Sequence, residues 1–296
     1  MVKKILIIIV FIFLLLTPEI TASGALKGLD LWYKALIPSL MPFMFLSDVI
    51  INMNLTSGIN LIMRPLTSLL SIKKEAGYAI FAGLFFGYPA CAVTSIEMQK
   101  NNILDKKSAE ICVCAFNNVS PAFISGYICR TVLDDRRLII PVFVIQYLSI
   151  LINAFIIRIL LFKKTDTDIS SVSVSIPKTE KNIINTALNN SLINIARLGG
   201  YVIIFSIISY YLLHYMGYKA IIPCLLTEIT SGAALISGNN LLLLLPFMYL
   251  GGLCGIFQTF AVDNTHLVTK HKYVLSKVTG AVIAAILCLI YAAIQK

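Results

Sequence analysis

Long stretches without Asp, Glu, Lys or Arg dominate the hydrophobic pattern of this chain. A hydrocarbon core about 30 Å thick requires about 20 apolar residues in a helix, and several stretches reach that length. The charge-free stretches are 5–18, 35–47, 49–63, 76–96, 111–129, 138–157, 198–218, 229–262 and 278–295. The pattern predicts an all-α polytopic membrane protein.

The first charge-free stretch, 5–18, is shorter than most and follows Lys3 and Lys4. A short apolar stretch after basic residues is typical of a signal peptide, and the small residues at 22–24 could form its cleavage site. Because the following chain is itself apolar enough to be membrane-embedded, we expect residues 1–25 to form an uncleaved N-terminal hydrophobic helix, a signal anchor.

Helix-breaking residues interrupt two of the charge-free stretches. Stretch 76–96 contains Gly87 and Pro89, and stretch 229–262 is too long for one helix and contains many glycines and Pro246. Interrupted backbone is tolerated at membrane depth only where it is buried in protein or lines a cavity. We therefore expect re-entrant hairpins or discontinuous helices at both places.

The order of predicted elements in residues 26–164 is repeated in residues 183–296, with a polar, serine-rich linker at 165–182 between them. Each half has an apolar helix, two interrupted segments and a plain helix. The interruptions are predicted at Gly87 and Asn117 in the first half and at Glu228 and Gln258 in the second, 30 residues apart in both. Interrupted segments at matching positions of two halves indicate a transporter's binding site near the bilayer midplane. A chance match of spacing is the alternative.

The composition supports the membrane assignment and excludes several classes. The 296 residues are 58% hydrophobic and 13% charged, with a mean hydropathy of +0.87. Soluble domains carry about 45–50% apolar and about 25% charged residues. An ordinary cytosolic enzyme, a disordered chain and a nucleic-acid binder are excluded. The net charge of +10 is explained by basic residues in cytoplasmic loops, and the seven cysteines by burial as small apolar residues.

Polar side chains inside the interrupted segments are the candidate substrate ligands. Pro121 disfavours helix at Ser120, which frees backbone carbonyls beside Asn117 and Asn118. The alternative is that the two asparagines bridge neighbouring helices. The predicted substrate-binding residues are Tyr88, Asn117, Asn118, Ser120, Glu228, Thr230, Ser231, Gln258 and Thr259.

Two of these candidates have a strong competing explanation. A carboxylate near the bilayer centre is costly, so Glu228 is a functional candidate unless it lies at a wetted interface beside Lys219. The Tyr88 ring could stack on a planar ligand or belong to the aromatic belt at the membrane surface.

No motif for catalysis or nucleotide binding occurs in the sequence. It contains no HExxH, no G-x-S-x-G, no Walker A motif and no dinucleotide-binding glycine pattern. We therefore predict that the protein is not an enzyme and holds no cofactor and no metal. An intramembrane hydrolase using Asp48 and Asp263 is the enzymatic alternative, but no motif surrounds either residue.

Three segments resemble a known family. These are Gly-Tyr-Pro at 87–89, Phe-Asn-Asn-Val-Ser-Pro-Ala-Phe-Ile at 116–124 and Leu-Trp-Tyr-Lys-Ala-Leu-Ile-Pro-Ser-Leu-Met-Pro-Phe at 31–43. They are similar to the sporulation integral membrane proteins of the YlbJ type, which carry the nucleoside-recognition or gate domain. Segments 228–232 and 251–255 match the second half of that family more loosely, and the resemblance covers roughly residues 26–293. The family favours Gly-Ala-Lys directly after Gly-Tyr-Pro, whereas this chain has Ala-Cys-Ala at 90–92 and lacks that cation.

The resemblance implies a fold, a cargo and a location. The gate domain is related to the core of concentrative nucleoside transporters, in which two inverted repeats, each with a re-entrant hairpin and a broken helix, enclose the substrate. The implied function is export of dipicolinate (pyridine-2,6-dicarboxylate) from the mother cell to the forespore. The implied location is the bacterial cell membrane, specifically the outer forespore membrane derived from the mother cell.

Several alternatives stay open at this point. The cargo could be a nucleoside or another small solute, or the chain could be a non-transporting membrane scaffold needed for spore maturation. The expected partners are a small-molecule substrate and the lipid bilayer, with a homo-oligomer or other sporulation membrane proteins as further candidates. Glu228 is an objection to dipicolinate, because a carboxylate repels a dianion.

Overall fold

The computed structural model describes residues 2–162, 180–236 and 240–295, and these residues form helices and turns without a strand. The predicted linker at 165–182 lies outside the described residues, except that residues 180–182 begin a helix. The α-helices are α1 (Val2–Leu16), α2 (Pro18–Leu31), α3 (Ile37–Asn52), α4 (Ser57–Ile62), α5 (Arg64–Leu69), α6 (Gly77–Phe86), α7 (Ala90–Lys100), α8 (Lys106–Phe116), α9 (Ile139–Leu161), α10 (Glu180–Met216), α11 (Ile221–Thr227), α12 (Ile229–Ala233), α13 (Leu241–Leu250), α14 (Gly252–Val262) and α15 (Lys270–Ile294). Two π-helical segments, Trp32–Leu36 and Phe123–Val132, complete the main elements.

Four segments of the described chain are long and apolar enough to cross a membrane: Arg136–Leu161, Ile183–Thr227, Leu241–Val262 and Lys270–Ile294. Their outer surfaces are apolar as well. On α9, for example, Ile140, Ile159 and Leu160 are each more than half exposed, as expected of side chains that face lipid. The prediction of an all-helical, multi-pass membrane protein is confirmed.

The N-terminal region is helical to Leu31 and is divided at Thr17, directly before Pro18. Proline lacks the backbone N–H that would continue the α1 hydrogen-bond ladder, and it is well accommodated as the first residue of α2. Helix α2 packs closely along α10 through Gly24 and Gly28. A Cβ atom on Gly28 would lie 2.6 Å from the Ile203 Cα atom, so only glycine permits this approach.

Three of the predicted interruptions occur where the sequence indicates them. Gly87, with φ of +84°, ends α6 before the Tyr88–Pro89 bond, which is cis. Residues 117–122 separate α8 from the π-helix Phe123–Val132. Glu228, in an extended conformation with φ of −149° and ψ of 117°, separates α11 from α12.

The predicted interruption at Gln258 is wrong. Helix α14 runs without a break from Gly252 to Val262, and the interruption lies earlier, at Gly251. Gly251 adopts a left-handed φ of +75°, which glycine enters without the steric cost that other residues pay. The equal 30-residue spacing of the two halves therefore does not hold.

Helix α15 has a central position in the second half of the bundle. Helices α8, α9 and α13 all pack against it, while α6 pairs with α7 and α11 pairs with α12. Helix α14 contacts α7, α10 and α11. This arrangement places residues of α15 between the interruptions of both halves.

Candidate functional site

The first interruption, at Gly87 and Tyr88, contacts interruptions elsewhere in the chain. A Cβ atom built on Gly87 would lie 2.8 Å from the backbone nitrogen of Ser120, within the 117–122 interruption. The Tyr88 ring lies against Gly251 and Gly255, where Cβ atoms would be 3.5 Å and 3.2 Å from its carbons. Segments that are about 30 to 170 residues apart in sequence therefore meet in the interior.

The interruption at Glu228 joins the same region from the other side. The Tyr127 hydroxyl, from the π-helix after the 117–122 interruption, donates a hydrogen bond of 2.8 Å to the Thr230 carbonyl oxygen. At the start of α14, a Cβ atom on Gly252 would lie 3.1 Å from the Thr227 carbonyl oxygen. All four interruptions are thus linked by direct contacts.

A buried lysine lies at this junction. Lys277 of α15 is 2% exposed, and its ammonium group donates hydrogen bonds to the Asn117 carbonyl oxygen and, at 3.1 Å, to Asn118 Oδ1. Among the described residues, no carboxylate oxygen lies within 4 Å of Lys277 Nζ. An ammonium group taken out of water without a counter-charge is costly, so this placement requires a reason.

Three tyrosine rings surround the same ammonium group. Its nitrogen lies 5.5 Å from the ring centroid of Tyr273, 5.6 Å from that of Tyr249 and 6.0 Å from that of Tyr88. Distances of this kind permit cation–π attraction, which strengthens when water is excluded. We refer to Lys277, Asn117, Asn118, Tyr88, Tyr249 and Tyr273 together as the Lys277 site.

A hydrogen-bond network connects the Lys277 site to α14. Asn117 Nδ2 donates to Thr259 Oγ1 at 2.8 Å and to the Tyr273 hydroxyl at 3.1 Å, and those two oxygens lie 3.0 Å apart. Asn117 Oδ1 is buried and has no hydrogen-bond partner among the described residues, whereas the Tyr249 hydroxyl faces the side chains of Asn118 and Asn153. The site therefore holds an acceptor that a small polar ligand can satisfy.

Glu228 is satisfied by its own helix. Its Oε1 accepts from the Thr230 backbone N–H at 2.9 Å, and its Oε2 accepts from the Ser231 N–H at 2.8 Å and from the Thr230 hydroxyl. It is an N-cap of α12, where the helix dipole also favours a negative charge. Glu228 is 4% exposed and Lys219 lies on the surface, so the wetted-interface alternative does not fit the structure.

The nine predicted ligands divide into three groups. Tyr88, Asn117 and Asn118 lie in the Lys277 site, and Thr259 bonds directly to it. Glu228, Thr230 and Ser231 form the α12 cap described above. The other two make local bonds: Ser120 Oγ accepts from the Phe123 N–H at 3.2 Å, and Gln258 Nε2 donates to Cys254 Sγ at 3.1 Å.

Lys277, Tyr249 and Tyr273 are not among the nine ligands predicted from the sequence. In the sequence, Lys277 only borders a charge-free stretch. The signal that would have identified it is helical periodicity. Small or polar residues recur every three or four positions along one face of α15, and this face is buried. Its members are Tyr273, Ser276, Lys277, Gly280, Ala281, Ala284 and Cys288.

The position of Lys277 also bears on the lysine missing from 90–92. Lys277 lies about 10 Å along α15 from Lys270, at a rise of about 1.5 Å per residue. Its ammonium nitrogen lies 6.0 Å from the ring centroid of Tyr88, two residues before that segment. Helix α15 thus supplies a cation beside the segment that lacks one. The seven cysteines themselves are all buried with free thiols, as predicted.

The fold and the buried polar junction define a multi-pass membrane protein. The chain is similar to the sporulation integral membrane protein YlbJ of Bacillus subtilis (strain 168), with 25% identity over 130 residues. The aligned region covers 42% of this chain and 32% of that relative, about a third of the relative's length. No family model matches the chain, and no solved structure matches it significantly. The chain is therefore a membrane protein distantly related to a sporulation integral membrane protein.

Proposed function

We propose that this protein is a membrane permease that binds a small carboxylate solute at the Lys277 site. The favoured cargo is dipicolinate, moved from the mother cell to the forespore during sporulation. The observation that carries the proposal is a buried ammonium group, without a carboxylate partner among the described residues, where four interruptions of apolar helices meet. Ionisable residues in membrane segments mark substrate pathways by default.

The chemistry of the Lys277 site suits a planar carboxylate. An ammonium group has three N–H donors, and two of them are used by Asn117 and Asn118. A substrate carboxylate would accept the third and supply the missing counter-charge. The rings of Tyr88, Tyr249 and Tyr273 offer faces on which an aromatic ring can stack.

Glu228 weakens this fit less than the sequence suggests. Its charge repels a dianion, but both of its oxygens accept hydrogen bonds from the start of α12. Those N–H groups and the helix dipole offset part of its negative potential. Thr230 and Ser231 therefore donate hydrogen bonds to Glu228. In this proposal, the residues that contact the substrate are those of the Lys277 site.

We further propose that the chain has two inverted repeats, in residues 26–164 and 183–296, after an N-terminal anchor at 1–25. The supporting observation is the order of elements. In the first repeat, α6 pairs with α7, and an interrupted helix and then α9 follow this pair. In the second repeat, α11 pairs with α12, and the interrupted α13 and α14 and then α15 follow in the same order. In this proposal both helix pairs are re-entrant hairpins, and the protein functions in the outer forespore membrane, alone or as a homo-oligomer.

Transport by purified protein in lipid vesicles tests the proposal. We expect saturable uptake of dipicolinate and weaker or no uptake of nucleosides. Lys277→Met should abolish uptake, whereas Lys270→Met, which removes an exposed lysine of the same helix, should leave it intact. The proposal is wrong if the parent protein transports none of these solutes, or if Lys277→Met transports dipicolinate like the parent.

One observation favours a second candidate, a non-transporting scaffold of a developmental membrane. Lys277 is 2% exposed and bonded to the protein's own groups, as a purely structural lysine would be. A permease must open this region to water during its cycle, whereas a scaffold need not. Labelling of a Tyr88→Cys variant by a membrane-impermeant thiol reagent, from either side, would support the permease. Absence of labelling would favour the scaffold.

A further inference from the structure

A cavity of about 200 Å³ lies between α3, α7 and α10, and it includes none of the residues of the Lys277 site. Pockets for drug-sized ligands usually measure about 300–1,000 Å³, so this cavity suits a smaller molecule. The end of α14 closes one side of it through Val262. Most groups that line it from the other three helices are polar or charged.

Four side chains in the cavity are donors without a partner. Arg197, Lys100, Thr94 and Asn194 line the cavity, and none of these side chains makes a hydrogen bond or an ion pair with the described part of the protein. Thr94 is 2% exposed and lines the cavity, so its hydroxyl is a donor available to a small polar ligand there.

Arg197 makes the strongest case of the four. It lies on α10 within the candidate membrane span Ile183–Thr227, and its side chain is exposed where it lines the cavity. Ionisable residues within such spans are functional candidates by default. Its guanidinium group is always charged and presents paired N–H donors that match the geometry of a carboxylate.

The acidic groups of the cavity are already engaged. Asp48 Oδ1 accepts from Asn52 Nδ2 at 3.0 Å, and its Oδ2 accepts from Asn190 Nδ2 at 2.8 Å. Glu97 Oε1 accepts from Asn101 Nδ2 at 3.5 Å. The two carboxylates therefore have donors of their own, and the groups left for a ligand are donors that include two cations. This asymmetry favours an anionic ligand.

Helix α7 connects the cavity to the Lys277 site. Pro89 joins Tyr88 to the start of α7 at Ala90, and Thr94 lies about 6 Å further along that helix, at a rise of about 1.5 Å per residue. Helix α14 makes a second connection, because Gly255 packs on Tyr88 near its start and Val262 lines the cavity at its end. A solute in the cavity is thus one to two helical turns from the Lys277 site.

We propose that this cavity is a second binding site for a small carboxylate, held by Arg197 and Lys100 with Thr94 and Asn194 as further donors. The inference rests on the proposed function, since it makes the cavity the access site from which the same cargo reaches the Lys277 site. It assigns a specific role to Arg197, which binds the carboxylate through two parallel N–H bonds before transport.

Protection of an introduced cysteine tests this site without any transport. An Asn194→Cys variant places a thiol in the cavity, and the seven native cysteines are buried, which keeps background labelling low. We expect a small methanethiosulfonate reagent to label Cys at this position in detergent, and dipicolinate to slow the labelling. Pyridine-2,6-dimethanol, which has the same ring without carboxylates, should not slow it.

The arginine is tested in the same background. Arg197→Gln should raise the dipicolinate concentration that gives half-protection by about tenfold or more, the size of a lost bond between charged groups. Arg197→Lys should give an intermediate value, because it keeps the charge and loses the paired donors. Lys270→Gln is the control and should change nothing. Where Arg197 variants do not fold, Lys100→Gln, which changes an exposed side chain, should weaken protection in the same direction.

The outcomes separate this inference from the proposed function. Protection that persists in Lys277→Met supports an independent second site. Vesicle transport without any protection of the cavity overturns this inference alone. Protection in a parent protein that transports nothing overturns the proposed function alone. Absence of labelling at position 194, or equal protection by pyridine-2,6-dimethanol, also overturns the inference.

Discussion

Replacing Lys277 with methionine separates the functional from the structural role of the buried ammonium group. Methionine has a similar length and keeps the aliphatic packing along α15, but it removes the charge and all three donors. The change leaves the Asn117 carbonyl oxygen and Asn118 Oδ1 without their donor, which costs about 1–3 kcal/mol per orphaned acceptor. It also removes a buried charge that lacks a carboxylate partner among the described residues, which is a gain.

These two effects nearly cancel in the free energy of unfolding. Replacing buried ionic groups by apolar ones of similar volume is often neutral or stabilising. We therefore expect Lys277→Met to unfold within a few degrees of the parent protein in detergent. Binding of dipicolinate should instead weaken by about 10- to 100-fold, which corresponds to about 1.5–3 kcal/mol for a lost hydrogen bond to a charged group.

The assay combines thermal unfolding with equilibrium binding on the same preparations. Lys270→Met is the matched control, since it changes an exposed lysine at the start of the same helix. A strongly destabilised Lys277→Met that still binds dipicolinate like the parent would refute the reasoning. In that case the ammonium group would be a structural element that holds the interruptions together.

Three further substitutions follow from the packing. Gly280→Ala places a Cβ atom 1.9 Å from a Tyr249 ring carbon and should lower the free energy of unfolding by about 1–3 kcal/mol or more in the same thermal-unfolding assay. Gly200→Ala, whose Cβ atom meets nothing within 4 Å inside α10, should leave the free energy of unfolding unchanged or raise it by up to about 1 kcal/mol. Glu228→Gln should lower the free energy of unfolding by about 1 kcal/mol, because the α12 cap becomes weaker. Calorimetry should show equal or tighter binding of dipicolinate, because a repulsive charge is gone. Weaker binding would contradict our account of the cap. Gly28→Ala forces α2 away from the α10 backbone, so limited proteolysis should cleave the chain before α3 more rapidly than in the parent protein. An unchanged cleavage rate would show that the close approach of the two helices is unimportant.

The interruptions illustrate what a local pattern can predict. Gly87 with Pro89, and Pro121 after two asparagines, disrupt helices through the sterics and missing N–H groups of single residues, so their positions were visible in the sequence. The sequence pattern predicts the fourth interruption at Gln258, whereas the structure has it at Gly251. Several glycines occur between these positions, and which one becomes left-handed depends on its contacts with Tyr88 and the end of α11.

The Lys277 site shows the opposite case. Its asparagines and one tyrosine were candidates because they lie beside helix-breaking residues. The periodic small and polar face of α15 marks Lys277 as buried, but its significance depends on partners that come from 88, 117–118, 249 and 273. Arg197 was missed for the same reason, since only the packing of α3 and α7 on α10 places it in a cavity.

The sequence by itself determined that this chain is helical, enters the membrane several times and breaks its helices at Gly87 and before Pro121. Hydrophobic length and single-residue backbone chemistry act locally, so they can be deduced from neighbouring letters. Only the tertiary structure decided which interruptions meet, that Glu228 caps its own helix, and that a lysine and an arginine lie without carboxylate partners among the described residues. Those properties depend on charges and donors brought together from distant segments, because the electrostatic cost of a buried group is set by its surroundings and not by its sequence neighbours.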